Sequence, residues 1–449
     1  MMIRARTKRT IGAAAALLGI GALFLYAGIA GAAGPDIIYV AHDHASTGAG
    51  QEALKDNLRS VLLAAVKIVY YFAMLLAAGA MLLQGRIPAG DSGSGQRELL
   101  RKWEGPILKT LLVAVLLYVF IHSNHMVSEI SGGGEEWLRL FVETRAGQGW
   151  LALLVLAVAG FGVIRLNERV RLVWASLLLA AESFGGHVAA VDYASLAIVF
   201  DFVHLACAAV WASGVMLLLL FWRADRKEAG RFAEQFAGVA WLTIAILTLS
   251  GVLMTWLLLP TPLYLLHTVW GRLLLVKTGL VLLVAAAGYA LRLRAKRREL
   301  PKGRLLKLDG LLMAAIISAA GILTSISPMP DGKPFNQHRM GEELHYTLRV
   351  SPNAPGPNEL SLTLWLPEKL GEPQSVSLEI VSADRPEEAP IHVPLAVVQP
   401  EKDFEFPGYL SYFFGAENLW FKKTGEWTAR LAVTQSDGTT LVREITFSN

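Results

Sequence analysis

Ten histidines lie in the 449 residues. Two of them, His122 and His125, stand in VFIHSNHMVSEI with Met126 immediately after, so a helix carries both imidazoles and the thioether on one face. Imidazole with thioether suits Cu(I), and imidazole alone suits Cu(II) or zinc; interfacial histidines bonded to headgroups or backbone are the plain alternative. A second pair, His187 and His204, falls within SFGGHVAAVDYASLAIVFDFVHLACAAVWASG, two apolar segments joined by a polar link that holds His187. Helical spacing puts His204, Cys207 and Trp211 on one face; a hydrogen-bonded core histidine and a small apolar core cysteine are the readings that compete with ligands there. His42 and His44 form a third group, in AHDH, and His267 stands alone in another short link. The chain has one cysteine, which excludes an internal disulfide and any multi-cysteine zinc or iron–sulfur site. Soft-metal chemistry therefore rests on His and Met.

Ionisable groups also fall inside apolar runs: Lys67, Glu182, Asp201 and Lys277. Such groups face a bundle interior and pair with one another. Lys277 with Asp201 or Glu182 is the structural expectation, and a charged wall helping a cation or proton through is the functional one. No Walker loop, G-x-S-x-G, H-E-x-x-H or C-x-x-C occurs, so ATP-driven transport, serine hydrolysis and zincin proteolysis have no motif, and no enzymatic activity is expected.

The elements that must position these groups are membrane helices. Hydrophobic residues make up 54% of the chain, charged residues 17%, and the mean hydropathy is +0.45, which excludes an ordinary soluble globular protein. The net charge of +4 comes from Lys and Arg clustered between apolar runs, where they set topology; the partner is a lipid bilayer and not nucleic acid. Residues 1–33 read as a signal peptide or signal anchor, and 34–57 as a short exterior segment holding AHDH. Eight apolar runs follow, each near the ~20 residues a span needs: Leu58 to Leu83, Ile107 to Met126, Trp150 to Ile164 (beginning at Thr144), Leu172 to Ala190, Leu196 to Trp222, Phe236 to Leu259, Gly271 to Leu291 and Leu305 to Ser325. Basic links alternate with links nearly free of Lys and Arg, and RLRAKRRELPKGRLLK is the most basic. The positive-inside rule makes the basic links cytoplasmic and puts AHDH, the His187 and His267 links and everything after Ser327 outside. Every histidine then maps to the outer side, an asymmetry that random placement would rarely produce.

Composition changes after Pro328. A breaker-rich linker, 328–340, precedes alternating stretches ELSLTLWL, SVSLEIVS, WTARLAV and LVREITF separated by PNAPGPN- and QSDGTT-type turns. These predict about seven short strands in an exterior immunoglobulin-like β-sandwich over 341–449. The fold class is an all-α polytopic bundle, 58–327, plus a C-terminal all-β domain.

GGHVAA at Gly185, F-x-x-H-L-x-x-x-x-x-W-x-x-G from Phe202 to Gly214, WGRLLLVKTGL from Trp270 and GILTSISPMP from Gly321 resemble the membrane domain of the copper resistance D (CopD) family. TRAGQGWLALL and VYYFAMLLAAGAMLL are similar to further helices of it, and GPNELSLTLWL with GEWTARLAV resembles the small β domain of Gram-positive copper uptake proteins. The resemblance implies copper transfer across the bacterial cytoplasmic membrane, with His187, His204, Trp270, Arg272 and Lys277 at family-motif positions. Two departures stand out: WASG has Ala212 and Ser213 where the family often has a second glycine, and only AHDH stands where the fused proteins carry a copper-binding β domain. Copper capture is then expected from His42, His44, His122, His125, Met126 or a separate exterior copper-binding protein. Two alternatives remain at this point: a membrane-anchored copper chaperone, sensor or assembly factor, and a haem b electron carrier, for which the inner side offers no histidine.

Overall fold

The structure, a computed structural model, describes residues 49–85, 87, 94–129, 134–185, 194–259, 262, 264–297, 299–326, 328, 334–341, 343–398 and 408–449. His42, His44, His187 and the leader-like segment lie outside these. Two compact units result: residues 1–260 with 273–326, and residues 261–272 with 327–449.

In the first unit the described apolar runs are helices, because hydrocarbon offers no partner for backbone N–H and C=O groups and only a helix satisfies them internally. The helices are α1 Ala49–Gln84, α2 Ser94–Glu129, α3 Gly134–Glu143, α4 Arg145–Val163, α5 Glu168–Gly185, α6 Ala194–Ala224, α7 Arg226–Leu258, α8 Tyr264–His267, α9 Val269–Lys296 and α10 Gly303–Leu323; α8 and the start of α9 belong to the second unit. Thr144 caps α4, accepting from Gly147 N at 3.0 Å, so the shortest run starts where its capping residue stands. Among the described residues seven helices are long and apolar enough to cross a membrane. The fourth expected run, in α5, carries Glu168, Arg169, Arg171 and Glu182 in its 18 described residues, and its expected end at Ala190 lies outside them. Helix α3 falls in the acidic link, where no element was expected; Trp137 and Phe141 stack at 6.3 Å, and Phe141 meets Trp150 of α4.

Helix α1 is central. Just over half of its apolar window is buried, against 17% for α9. Small residues bring α1 and α6 together: a Cβ on Gly79 would stand 1.9 Å from the Ala209 carbonyl oxygen, a close approach of the kind membrane helices use in place of a hydrophobic driving force. Ser213 Oγ, 2% exposed, donates within this seam to Leu75 O at 3.1 Å, which accounts for the serine in WASG. At one end of the bundle Arg171 of α5 donates to Gln84 of α1 at 2.6 Å and pairs with Glu104 of α2 at 3.3 Å.

The second unit contains a two-sheet antiparallel sandwich. Its strands are β1 Phe335–Arg339, β2 His345–Ser351, β3 Gly356–Pro367, β4 Ser375–Ser382, β5 Ile391–His392, β6 Ala396–Val397, β7 Tyr409–Phe421, β8 Glu426–Thr434 and β9 Thr440–Ser448. One sheet runs β1-β2-β3-β7-β6 and the other β5-β4-β8-β9. Alternation decides the inner face: Leu360, Leu362, Leu364 and Leu366 of β3 and Trp427, Ala429, Leu431 and Val433 of β8 are buried in one core, as a period of two requires. The four alternating stretches form β3, β4, β8 and β9. Gly438, at φ 86°, makes the QSDGTT turn between β8 and β9.

Candidate functional site

Glu182 is the junction of a polar thread through the first unit. It is 8% exposed, near the end of α5, and its Oε2 accepts from the Tyr70 hydroxyl of α1 at 2.8 Å. The same hydroxyl lies 3.2 Å from Met74 Sδ. Its single proton goes to the carboxylate, the stronger acceptor, which leaves the thioether lone pairs unused. Lys67, one turn before Tyr70, interacts electrostatically with Glu182 and donates from Nζ to the Thr324 carbonyl at 2.7 Å. Burial of these groups demands such partners, because an unpaired charge or hydroxyl in a dry interior costs several kcal/mol.

One arm of the thread leads along α2. The Tyr118 ring stacks on Tyr70 with centroids 4.4 Å apart and planes 5° from parallel, and the His122 ring follows at 4.4 Å from Tyr118. His122 Nδ1 is 3.0 Å from the Tyr118 carbonyl. A carbonyl only accepts, so Nδ1 carries the proton of the neutral ring, and Nε2 keeps its lone pair. His125 and Met126, like His122, are half-buried, and His125 is close enough to His122 to interact with it.

The other arm runs into α6. Asp201 is hydrogen-bonded to Ser183 of α5 and feels the charges of Glu182 of α5 and Lys277 of α9. One turn on, His204 Nδ1 lies 2.9 Å from Ser250 Oγ of α7. The Ser250 proton is donated to Ile246 O at 2.7 Å, so the hydroxyl accepts from Nδ1–H, and the His204 ring also bonds the Leu247 backbone. Orientation of one ring nitrogen by an outer hydrogen bond is the pattern seen behind metal-ligating histidines. Cys207 is half-buried with a free thiol, and Trp211 is buried.

Of the other expected positions, His42, His44 and His187 lie outside the described residues. Trp270 and Arg272 open α9 in the second unit, and His267 closes α8. Among the described residues no three His, Cys, Asp or Glu side chains gather as a metal site. The sequence reading missed Tyr70, Met74, Tyr118 and Ser250. The first three left a signal: a Tyr hydroxyl in a membrane run needs an acceptor, and Tyr70 and Met74 share a face at i, i+4. Ser250 left none, because its role depends on where α7 crosses α6.

Residues 230–327 match the family described as Copper resistance protein D. The chain is also 30% identical over 297 residues to the "Copper transport protein CutJ" of Bacillus subtilis (strain 168), covering 60% of this chain and 54% of that protein. The chain thus spans about half the length of the curated relative it matches.

Proposed function

We propose that this chain, a multi-pass membrane protein of the copper resistance D family, carries copper inward across the bacterial cytoplasmic membrane. The observation that supports this most is the state of His122, whose Nδ1–H is committed to the Tyr118 carbonyl, leaving Nε2 as a soft-metal donor inside the bundle.

On this reading His42, His44, His125, Met126 and His187 collect the ion at the outer rim, from a separate exterior copper-binding protein or from solution. His122 and His204 are successive stations. Glu182 and Asp201 offset the desolvation of a cation leaving water, the largest barrier such an ion meets, while Lys277 and Lys67 balance those carboxylates when no ion is present. Cys207, one turn from His204, lines the same route. The C-terminal sandwich stands outside the cell membrane.

Sealed vesicles carrying only this protein, supplied with Cu(I) and Cu(II) separately, test the reading. Time-dependent accumulation of one oxidation state, abolished by His204→Ala, is expected; accumulation no greater than in empty vesicles overturns it. The sandwich favours a second reading, a membrane-anchored copper chaperone, sensor or assembly factor, since a permease needs no such domain. It predicts saturable copper binding to the vesicles with no entry into the lumen.

A further inference from the structure

Asp309, in the first half of α10, is a buried carboxylate that the transport reading leaves unused. It is 5% exposed, and its Oδ1 has no hydrogen-bond partner among the described residues. Asp309 lines a cavity of about 50 Å³ between α6, α7, α9 and α10. Small residues make the space: Ala233, Ala237 and Ala240 recur on one face of α7, and Gly288 and Ala295 on one face of α9. A Cβ on Gly288 would meet nothing within 4 Å. The volume exceeds the ~10–15 Å³ that one water needs. The cavity reaches the link between α9 and α10, from which Glu299 and Pro301 line it, and the positive-inside rule assigns that basic link to the cytoplasm.

Trp241 of α7 shares the cavity, and its indole Nε1–H also lacks an acceptor among the described residues. Arg292 of α9, on the same lining, stands over the Trp241 ring at 5.8 Å, held by the ring face. The other charged residue of the lining, Glu299, is paired with Arg294 at 2.9 Å. Helices α1 and α6, which pack on α10, bring no ionisable side chain to the lining. Lys67 of α1 is bonded beyond the opposite end of α10, to Thr324 O, and Arg304 and Lys307 of α10 itself are exposed. An unpaired charge is costly in a low-dielectric interior, and a bound proton removes that cost.

We propose that Asp309 is a proton-binding site at the cytoplasmic end of the bundle, exchanging its proton with the cytoplasm through this cavity, with Arg292 as countercharge of the ionised form. Ionisation passes the proton from the carboxyl to water in the cavity and leaves a carboxylate. That charge draws the Arg292 guanidinium from the Trp241 ring toward Asp309. Helix α9 follows, and with only 17% of its apolar window buried it has little packing to break. The site thereby lets cytoplasmic pH set the position of α9. It stands apart from the transport reading, because no copper ligand takes part.

Difference infrared spectroscopy on the full chain in lipid, scanned over pH in light and heavy water, tests this. Wild type is expected to show a protonated-carboxyl C=O band that disappears as pH rises and is missing from Asp309→Asn, an isostere of the protonated acid. In Arg292→Gln the band persists to a pH about one pH unit higher, since the countercharge of the ionised form is gone. Gly288→Leu fills the cavity and keeps Asp309, so it retains the band and slows its deuterium exchange severalfold. Identical bands in wild type and Asp309→Asn at every pH overturn the proposal. So do a band that no pH removes, an Arg292→Gln titration superimposable on wild type, or exchange in Gly288→Leu as fast as in wild type.

Discussion

Tyr70 on α1 and Glu182 on α5, 112 positions apart in sequence, are joined by a 2.8 Å hydrogen bond in the interior of the bundle. Removing the hydroxyl alone, as Tyr70→Phe, leaves a buried carboxylate short of a donor and destabilises the protein by about 1–3 kcal/mol. Glu182→Gln keeps an acceptor for Tyr70 while removing the charge. Thermal unfolding in detergent is expected to fall for Tyr70→Phe and to stay near wild type for Glu182→Gln. Copper entry into vesicles falls in both if Glu182 serves the ion.

The Ser250 hydroxyl fixes which nitrogen of His204 carries the proton. Ser250→Ala leaves the ring in place but frees its orientation, and outer-shell losses of this kind lower metal affinity or activity about 10–100-fold. Vesicle uptake should drop in that range with the unfolding temperature little changed. Uptake equal to wild type would mean that His204 is a structural residue only.

Gly79 has the Ala209 carbonyl where its Cβ would be. Gly79→Val must push α1 from α6, an overpacking of about 1–3 kcal/mol or more, and α1 carries Lys67, Tyr70 and Met74. Loss of the monodisperse peak in size-exclusion chromatography is the expected result, whereas Gly162→Val, with open space around it, should elute as wild type.

Arg171 ties α1, α2 and α5 through Gln84 and Glu104, with Glu104 7% exposed. Arg171→Ala leaves that carboxylate with the Gln84 amide but no countercharge and should cost about 3 kcal/mol. Arg171→Ala/Glu104→Gln recovers much of this, because the uncompensated charge is then gone. A double-mutant cycle on thermal stability separates the two.

Much of the architecture was legible in the sequence because its causes are local. Among the described residues seven apolar runs are helices long enough to span, since lipid leaves the backbone no other way to satisfy itself, and the four strictly alternating stretches are strands. Thr144 announced the start of α4 by its own chemistry. Helix α3 was missed because its polar half reads as an acidic link; its apolar face has meaning only against Trp150 of α4. The short β5 and β6 were missed because two residues hold no period.

The same division runs through the candidate site. Residue type and depth marked His122, His204, Glu182, Asp201 and Lys277 as groups that need partners, because imidazoles and charges are poorly tolerated in hydrocarbon whatever surrounds them. Which partner each found was decided by helix crossings. Tyr70 meets Glu182, Ser250 meets His204 and Lys67 meets Thr324 across separations of 112, 46 and 257 residues, and no local pattern encodes such distances. The sequence by itself determined that this chain holds a helix bundle with imidazoles and charges at membrane depth; the tertiary structure alone decided which partners His122 and His204 meet, because that depends on the atom the fold brings within hydrogen-bonding distance.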